Sequence, residues 1–186
     1  MNNLTIAILA GGSSNRMGLD KASIVIHSET LLERTARIGL SAHDSVVVVG
    51  RTKPEEWNFD SVEFIPDRYP GLGPLGGLVT ALYHLGTHVL LLACDMPKMS
   101  KEALGWLIKY SQNNPYQDGV ISQHGEHLEP LCSLYARSCF DAATECLERS
   151  EYRMHRFIAE GRFSYVRVPT EHIVALHNVN YPQDLE

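Results

Sequence analysis

LTIAILAGGSSNRMGLDK, Leu4 to Lys21, is the stretch from which the rest of the chain is read. Its first half is a continuous apolar run, the composition of a strand buried on both faces of a parallel sheet. Its second half turns abruptly to small, polar and basic residues. Gly11 and Gly12 let the backbone turn sharply and approach a ligand closely. Ser13 and Ser14 add hydroxyl groups, and successive N–H groups in such a turn form a concavity that suits an anion. Arg16 and Lys21 bring two positive charges, the first able to grip phosphate with two parallel bonds and the second a movable point charge. The expected target is a polyphosphate. Asp20, beside Lys21, suits orienting the lysine or capping a turn. The loop is not a Walker loop, because Gly18 is followed by Leu-Asp-Lys-Ala and GxxxxGK[ST] fails.

Working outward, further strand-like runs occur at 45–50 (SVVVVG), 62–67 (VEFIPD), 88–95 (HVLLLACD), 118–122 (DGVIS), 131–135 (LCSLY) and 163–168 (FSYVRV). Most are apolar throughout rather than alternating. Helical patterns fall between them at about 29–41, 74–86, 100–112, 137–149 and 152–160, with Ser100 as an N-cap, Pro74 in a first turn and Gly86 at a helix end. Strand and helix therefore alternate, which predicts an α/β fold of three layers, helices covering both faces of a mostly parallel sheet. SQHGEHLEPL breaks the alternation and reads as a hairpin or an excursion over one edge of the active face. There is no internal repeat or linker, so residues 1–186 are expected to form a single domain.

Ligands in open α/β sheets sit beyond the carboxyl ends of the strands. Three unusual loops converge there: the opening one, PDRYPGLGPLGG after the third strand, and CDMP after the fourth. Asp95 at the end of a central strand suits either Mg²⁺ bridging to nucleotide phosphates or a cap for the next turn. GLGPLG (71–76) fits GxGxxG literally, but it follows the third strand and its Pro74 lacks an N–H. It reads better as a glycine-rich wall against which a base or sugar lies, with Asp67 nearby. His124 and His127 suit a hairpin tip better than a pair of metal ligands, Trp57 and Trp106 read as packing residues, and no GxSxG elbow is present.

The bulk numbers are ordinary for a globular protein, with 44% hydrophobic and 20% charged residues. A formal net charge of −6 argues against general affinity for nucleic acid or an anionic membrane. The opening residues lack a basic region ahead of a signal-like apolar run, and no stretch approaches a membrane span. Cys94, Cys132, Cys139 and Cys146 show no CxxC spacing and read as small buried hydrophobes in a reducing cytoplasm.

LAGGSSNRMGLDK resembles the LAGGxSxRMGxDK signature of the MobA-type molybdenum cofactor guanylyltransferases, within a wider group of sugar-nucleotide and pterin nucleotidyltransferases. PD at 66–67, GPLGGL at 73–78, LLLACDMP at 90–97, EPLCSLY at 129–135 and NVNYPQDL at 178–185 follow in the same order. The resemblance implies a Rossmann-like nucleotidyltransferase fold, GTP and molybdenum-bearing molybdopterin as substrates, Mg²⁺ as cofactor, and other molybdenum-cofactor proteins and acceptor molybdoenzymes as partners. By position, Leu9, Ala10 and Gly11 would contact GTP through backbone, with Gly12 beside them. Lys21 would reach the phosphates with Arg16 assisting. Asp67 would contact the nucleoside, and Asp95 would bind both GTP and Mg²⁺. Asn178 and Asn180 match an NxN element at the cleft that serves the metal or the pterin. Two departures stand out: Gly50 occupies the second-strand end where the family often has a nucleotide-touching Asn, and Tyr181 stands where Thr is usual. A cytidylyltransferase, a transferase to another phosphorylated acceptor, and a non-catalytic cofactor-binding adaptor are the alternatives.

Overall fold

The computed structural model describes residues 3–11 and 20–179. Among these, the strands are β1 (Leu4–Leu9), β2 (Val25–Ile26), β3 (Glu29–Thr30), β4 (Val46–Val49), β5 (Glu63–Ile65), β6 (His88–Ala93), β7 (Gly119–His124), β8 (His127–Leu128), β9 (Cys132–Tyr135) and β10 (Ser164–Arg167). The α-helices are α1 (Leu31–Ala42), α2 (Gly73–Leu85), α3 (Lys101–Asn113), α4 (Phe140–Glu148) and α5 (Met154–Glu160). The main sheet runs β10-β7-β9-β6-β1-β4-β5, with β8 added to β7.

β1 is the hub of the sheet. It pairs in parallel with β4 on one side and β6 on the other, and β5 continues the parallel run beyond β4. β9 lies antiparallel between β6 and β7. The reversal follows from the way the chain arrives. SQHGEHLEPL forms the hairpin of β7 and β8, turning at Gly125 (φ 60°), and a strand entered from a hairpin runs back against its predecessor. The sheet is thus mixed but mostly parallel, as expected.

The apolar runs divide by alternation. Ile6, Ile8, Val46, Val48, Leu90 and Leu92 face one layer, where they meet Leu32 and Ala36 of α1 and Leu104 and Leu107 of α3. Ala7, Val47, Val49, Val89 and Leu91 face the other, against Leu75, Leu78 and Leu82 of α2, Cys146 of α4 and Phe157 of α5. Each fully buried aliphatic side chain contributes about 1.5–3 kcal/mol relative to exposure, so both faces favour strands with no polar side. Three helix starts fall two or three residues after the sequence expectation, the fifth at Met154 rather than 152. The first begins at Leu31 because Glu29 and Thr30 pair with Val25 and Ile26, leaving Thr30 to cap the helix in a reciprocal box with Glu33. The fourth begins at Phe140, after a 3₁₀ turn over Arg137–Cys139. Among the described residues, no helix is long and apolar enough to cross a membrane.

Candidate active site

The carboxyl ends of β4, β1 and β6 lie side by side and open onto a cleft of about 420 Å³. Leu9, Ala10 and Gly11 form its floor, Gly50 and Asp67 one side, and Lys21 and Asp95 the other, while Gly71, Gly73 and Pro74 at the start of α2 close the end. The three loops singled out in the sequence therefore do converge, and GLGPLG is a wall of the cleft rather than a first-strand dinucleotide turn.

The floor is built from backbone pressed on backbone. Ala10 N–H donates to the Val49 carbonyl at 3.0 Å, and Gly50 N–H donates to that of Ile65 at 2.9 Å. A Cβ on Gly11 would stand 2.8 Å from the Gly50 carbonyl oxygen, and one on Gly50 would stand 2.9 Å from the Gly11 Cα. Gly50 also has φ +88°, which side chains disfavour. The departure at residue 50 thus has a steric reason: the ends of β1 and β4 meet too closely for a side chain at that position.

Facing this floor is an ion pair. Lys21 Nζ lies 2.9 Å from Asp95 Oδ2, with side chains 19% and 20% exposed, so solvent screens the pair only in part. The same ammonium donates to the Val179 carbonyl at 2.8 Å, and Val179 N–H donates to the Asp95 carbonyl at 2.8 Å. Strand β6, the turn carrying Lys21 and the 178–179 segment are thereby tied at one point. Lys21 opens a 3₁₀ turn (Lys21–Ser23) capped by Asp20, whose carboxylate accepts from Ala22 N–H and the Ser23 hydroxyl. Arg51, directly after Gly50, pairs with the same carboxylate and donates to the Ser23 hydroxyl at 2.8 Å. Burial pushes the Asp20 carboxyl up, but the Ser23 and Arg51 contacts together hold it below the ordinary aspartate value.

Asp67 is oriented rather than loose: one carboxylate oxygen accepts from Tyr69 N–H and from the Thr80 hydroxyl of α2, both at 2.9 Å. Cys94 lies buried in the cleft wall beside Asp95, its thiol held in the protonated form. Burial first, and then the charges of Asp95 and Asp20, push its thiol up to about 12. All four cysteines are buried and free, as their spacing suggested.

Leu9, Ala10, Gly11, Lys21, Gly50, Asp67 and Asp95 are thus gathered into one cleft. Asn178 is exposed and absent from the cleft's lining; it is the backbone of Val179 that reaches Asp95. Gly12, Arg16 and Asn180 lie outside the described residues. Sequence reasoning missed Arg51 and the Thr80 hydroxyl. The only local sign of Arg51 was a lone cation directly after a buried strand, a sign too common to single out.

The donor set bears on a divalent cation. The Lys21 ammonium already marks a point between one carboxylate oxygen and one backbone carbonyl, both hard oxygen donors. Among the described residues there is no group of three or more His, Cys, Asp or Glu able to hold a metal. One carboxylate with few other protein ligands suits Mg²⁺, which keeps water and substrate phosphates in its remaining positions.

A mixed α/β sheet with a glycine floor and a Lys–Asp pair at its carboxyl edge defines a nucleotide-handling enzyme of the nucleotidyltransferase type. The MobA-like NTP transferase domain family matches residues 6–166, and the chain belongs to that family. It is 33% identical over 190 residues to a probable molybdenum cofactor guanylyltransferase of Nostoc sp., covering 100% of this chain and 90% of that one. Among solved structures, the molybdopterin-guanine dinucleotide biosynthesis protein A of Archaeoglobus fulgidus superimposes with a TM-score of 0.80 at 25% identity, covering 97% of this chain and 94% of that one. The 2-C-methyl-D-erythritol 4-phosphate cytidylyltransferase of Thermus thermophilus shares the fold, with a TM-score of 0.70 at 15% identity over 97% of this chain and 94% of that one.

Proposed function

We propose that this chain, acting as one nucleotidyltransferase domain in the cytoplasm, transfers GMP from GTP to the terminal phosphate of molybdenum-bearing molybdopterin. The product is molybdopterin guanine dinucleotide, and pyrophosphate is released. The observation that carries the reading is the Lys21–Asp95 pair, 2.9 Å apart, facing a backbone floor at the carboxyl ends of three adjacent parallel strands. The guanylyltransferase relatives support GTP over CTP.

In the reaction an oxygen of the acceptor phosphate forms a bond to the α-phosphorus of GTP. The bond from that phosphorus to the bridging β-oxygen breaks, and pyrophosphate leaves with the electron pair. The nucleophile is already an anion, so no strong general base is needed. The protein must hold two phosphates in line and offset their repulsion. Gly11 and Gly12 offer N–H groups to the triphosphate. Lys21 exchanges Asp95 for phosphate oxygens, and Arg16 assists. Asp95 and the Val179 carbonyl are the residues that would hold Mg²⁺, which when bound neutralises charge between the phosphates. Asp67, held by Thr80, meets the nucleoside, and the NxN element, whose Asn178 side chain stands outside the cleft's lining, serves the metal or the pterin. The recipients of the product are the apo-molybdoenzymes and the carriers that serve them.

The test is product analysis after incubation with molybdenum-loaded molybdopterin, Mg²⁺ and either GTP or CTP, for wild type and Asp95→Ala. GTP-dependent pyrophosphate release and the guanine dinucleotide are expected from wild type alone. A cytosine product with GTP inert, or equal rates in the two proteins, would overturn the reading.

A further inference from the structure

Asp20 stands in the wall of a cleft proposed to take a triphosphate, which is the wrong sign of charge for that position. It is nonetheless useful there, because its carboxylate accepts from Ala22 N–H at 3.1 Å and from the Ser23 hydroxyl at 2.7 Å and so shapes the turn that begins with Lys21. The problem is met from the neighbouring strand. Arg51 follows Gly50 at the end of β4, and its side chain is 25% exposed. One of its terminal nitrogens pairs with Asp20 and the other donates to Ser23. A guanidinium forked over two members of one turn fixes orientation as well as charge.

We infer that Arg51 is a positioning residue for the transfer: it cancels the charge of Asp20 at the cleft edge and holds the turn that presents Lys21 to the triphosphate. The inference rests on the cleft being a triphosphate site, though not on the identity of the base or acceptor. It also gives the Gly50 departure a second meaning. The strand end with no room for a nucleotide-touching side chain supplies its contribution one residue later, through the loop rather than through the ligand.

Two effects can be separated by substitution. Arg51→Met leaves Asp20 charged beside the phosphates, whereas Asp20→Asn keeps an acceptor for Ala22 N–H but removes the charge. Affinity is measured by isothermal titration with two probes, GTP–Mg²⁺ and inorganic tripolyphosphate, with melting temperatures recorded for every variant. Arg51→Met should bind both probes about ten-fold more weakly than wild type. Asp20→Asn should bind at least as tightly as wild type, and Arg51→Met/Asp20→Asn should recover to within about three-fold of it. Arg51→Lys, which keeps the charge but not the fork, should fall between wild type and Arg51→Met. Unchanged affinity in Arg51→Met, or a double variant as weak as Arg51→Met, would overturn the inference. Should Arg51→Met fail to fold, Asp20→Asn decides alone, and weakened binding there counts against it. A wild type that binds tripolyphosphate but not GTP sinks the guanylyl reading and leaves this one standing; a wild type that binds neither sinks both.

Discussion

Replacing Lys21 by Met should separate what the ion pair does for the empty fold from what it does in turnover. The ammonium makes at least two bonds, to Asp95 Oδ2 at 2.9 Å and to the Val179 carbonyl at 2.8 Å. Met keeps most of the stem's packing and removes both. Asp95 is then left partly buried without its cation, and the Val179 carbonyl loses a donor. Removing one partner of a buried pair costs about 3–5 kcal/mol, but both side chains here are about one-fifth exposed and screening reduces that. The expected loss is about 1–2 kcal/mol, or about 2–8 °C in melting temperature for a chain of this size. Asp95→Asn should cost less, because an amide oxygen can still accept from the lysine. Combining the two substitutions should give a coupling of about 1 kcal/mol in a double-mutant cycle. Turnover, followed by pyrophosphate release at saturating Mg²⁺, should drop about 10²–10³-fold in Lys21→Met, the usual scale for losing one preorganised charge on a transition state. The role given to the pair fails if Lys21→Met melts with the wild type and the cycle shows no coupling, since the pair would then not exist in solution. It fails equally if the melt shifts while turnover stays within about two-fold.

Two further outcomes follow from geometry and charge. Gly11→Ala places a Cβ 2.8 Å from a backbone oxygen of Gly50, so the ends of β1 and β4 must part. It should cost about 1–3 kcal/mol and abolish GTP binding by titration, whereas Gly125→Ala, with φ +60° and nothing within 4 Å, should cost about 1–2 kcal/mol and leave GTP binding intact. Equal GTP affinity in the two variants would contradict the floor described above. Glu129 is raised above the ordinary glutamate value of 4.5 by burial, against the opposing pull of His124, His127, His155 and His177. A raised carboxyl favours its protonated form in the fold, so its ionisation takes stability away as pH climbs through 4.5 and beyond. Glu129→Gln should therefore melt higher than wild type at about pH 7 and converge with it near about pH 4; parallel melting curves across that range would refute this.

Much of the fold was legible because its signal is local. SVVVVG and LLLAC have the composition of strands with two buried faces and form them, and the Ser100, Pro74 and Gly86 signals each sit where the structure uses them. The places that slipped are those where a tertiary partner overrides a run. Glu29 and Thr30 look helical in sequence but are claimed by pairing with Val25 and Ile26. LCSLY looks like its parallel neighbours but is turned round by the hairpin that precedes it. Strand direction depends on how the chain returns, and hydrophobic pattern carries no record of that.

The candidate site divides along the same line. Residue types announce themselves: two glycines after a buried strand, a lysine at the loop's end, an aspartate after LLLAC. Partnerships do not. Nothing in the order of residues says that Lys21 reaches Asp95, 74 positions on, or the Val179 carbonyl, 158 positions on. Nor does it say that Arg51 closes over Asp20. Each pairing exists because β4, β1 and β6 end level with one another, so the side chains beyond those ends share one small volume. That common edge also explains why the site depends on so few special residues. The sheet supplies the convergence, and a charge placed just past any of the three strand ends has a partner or a ligand within reach. On the proposed reading Lys21 is the cation that exchanges the first for the second, because the group it holds, Asp95, can take another cation in its place.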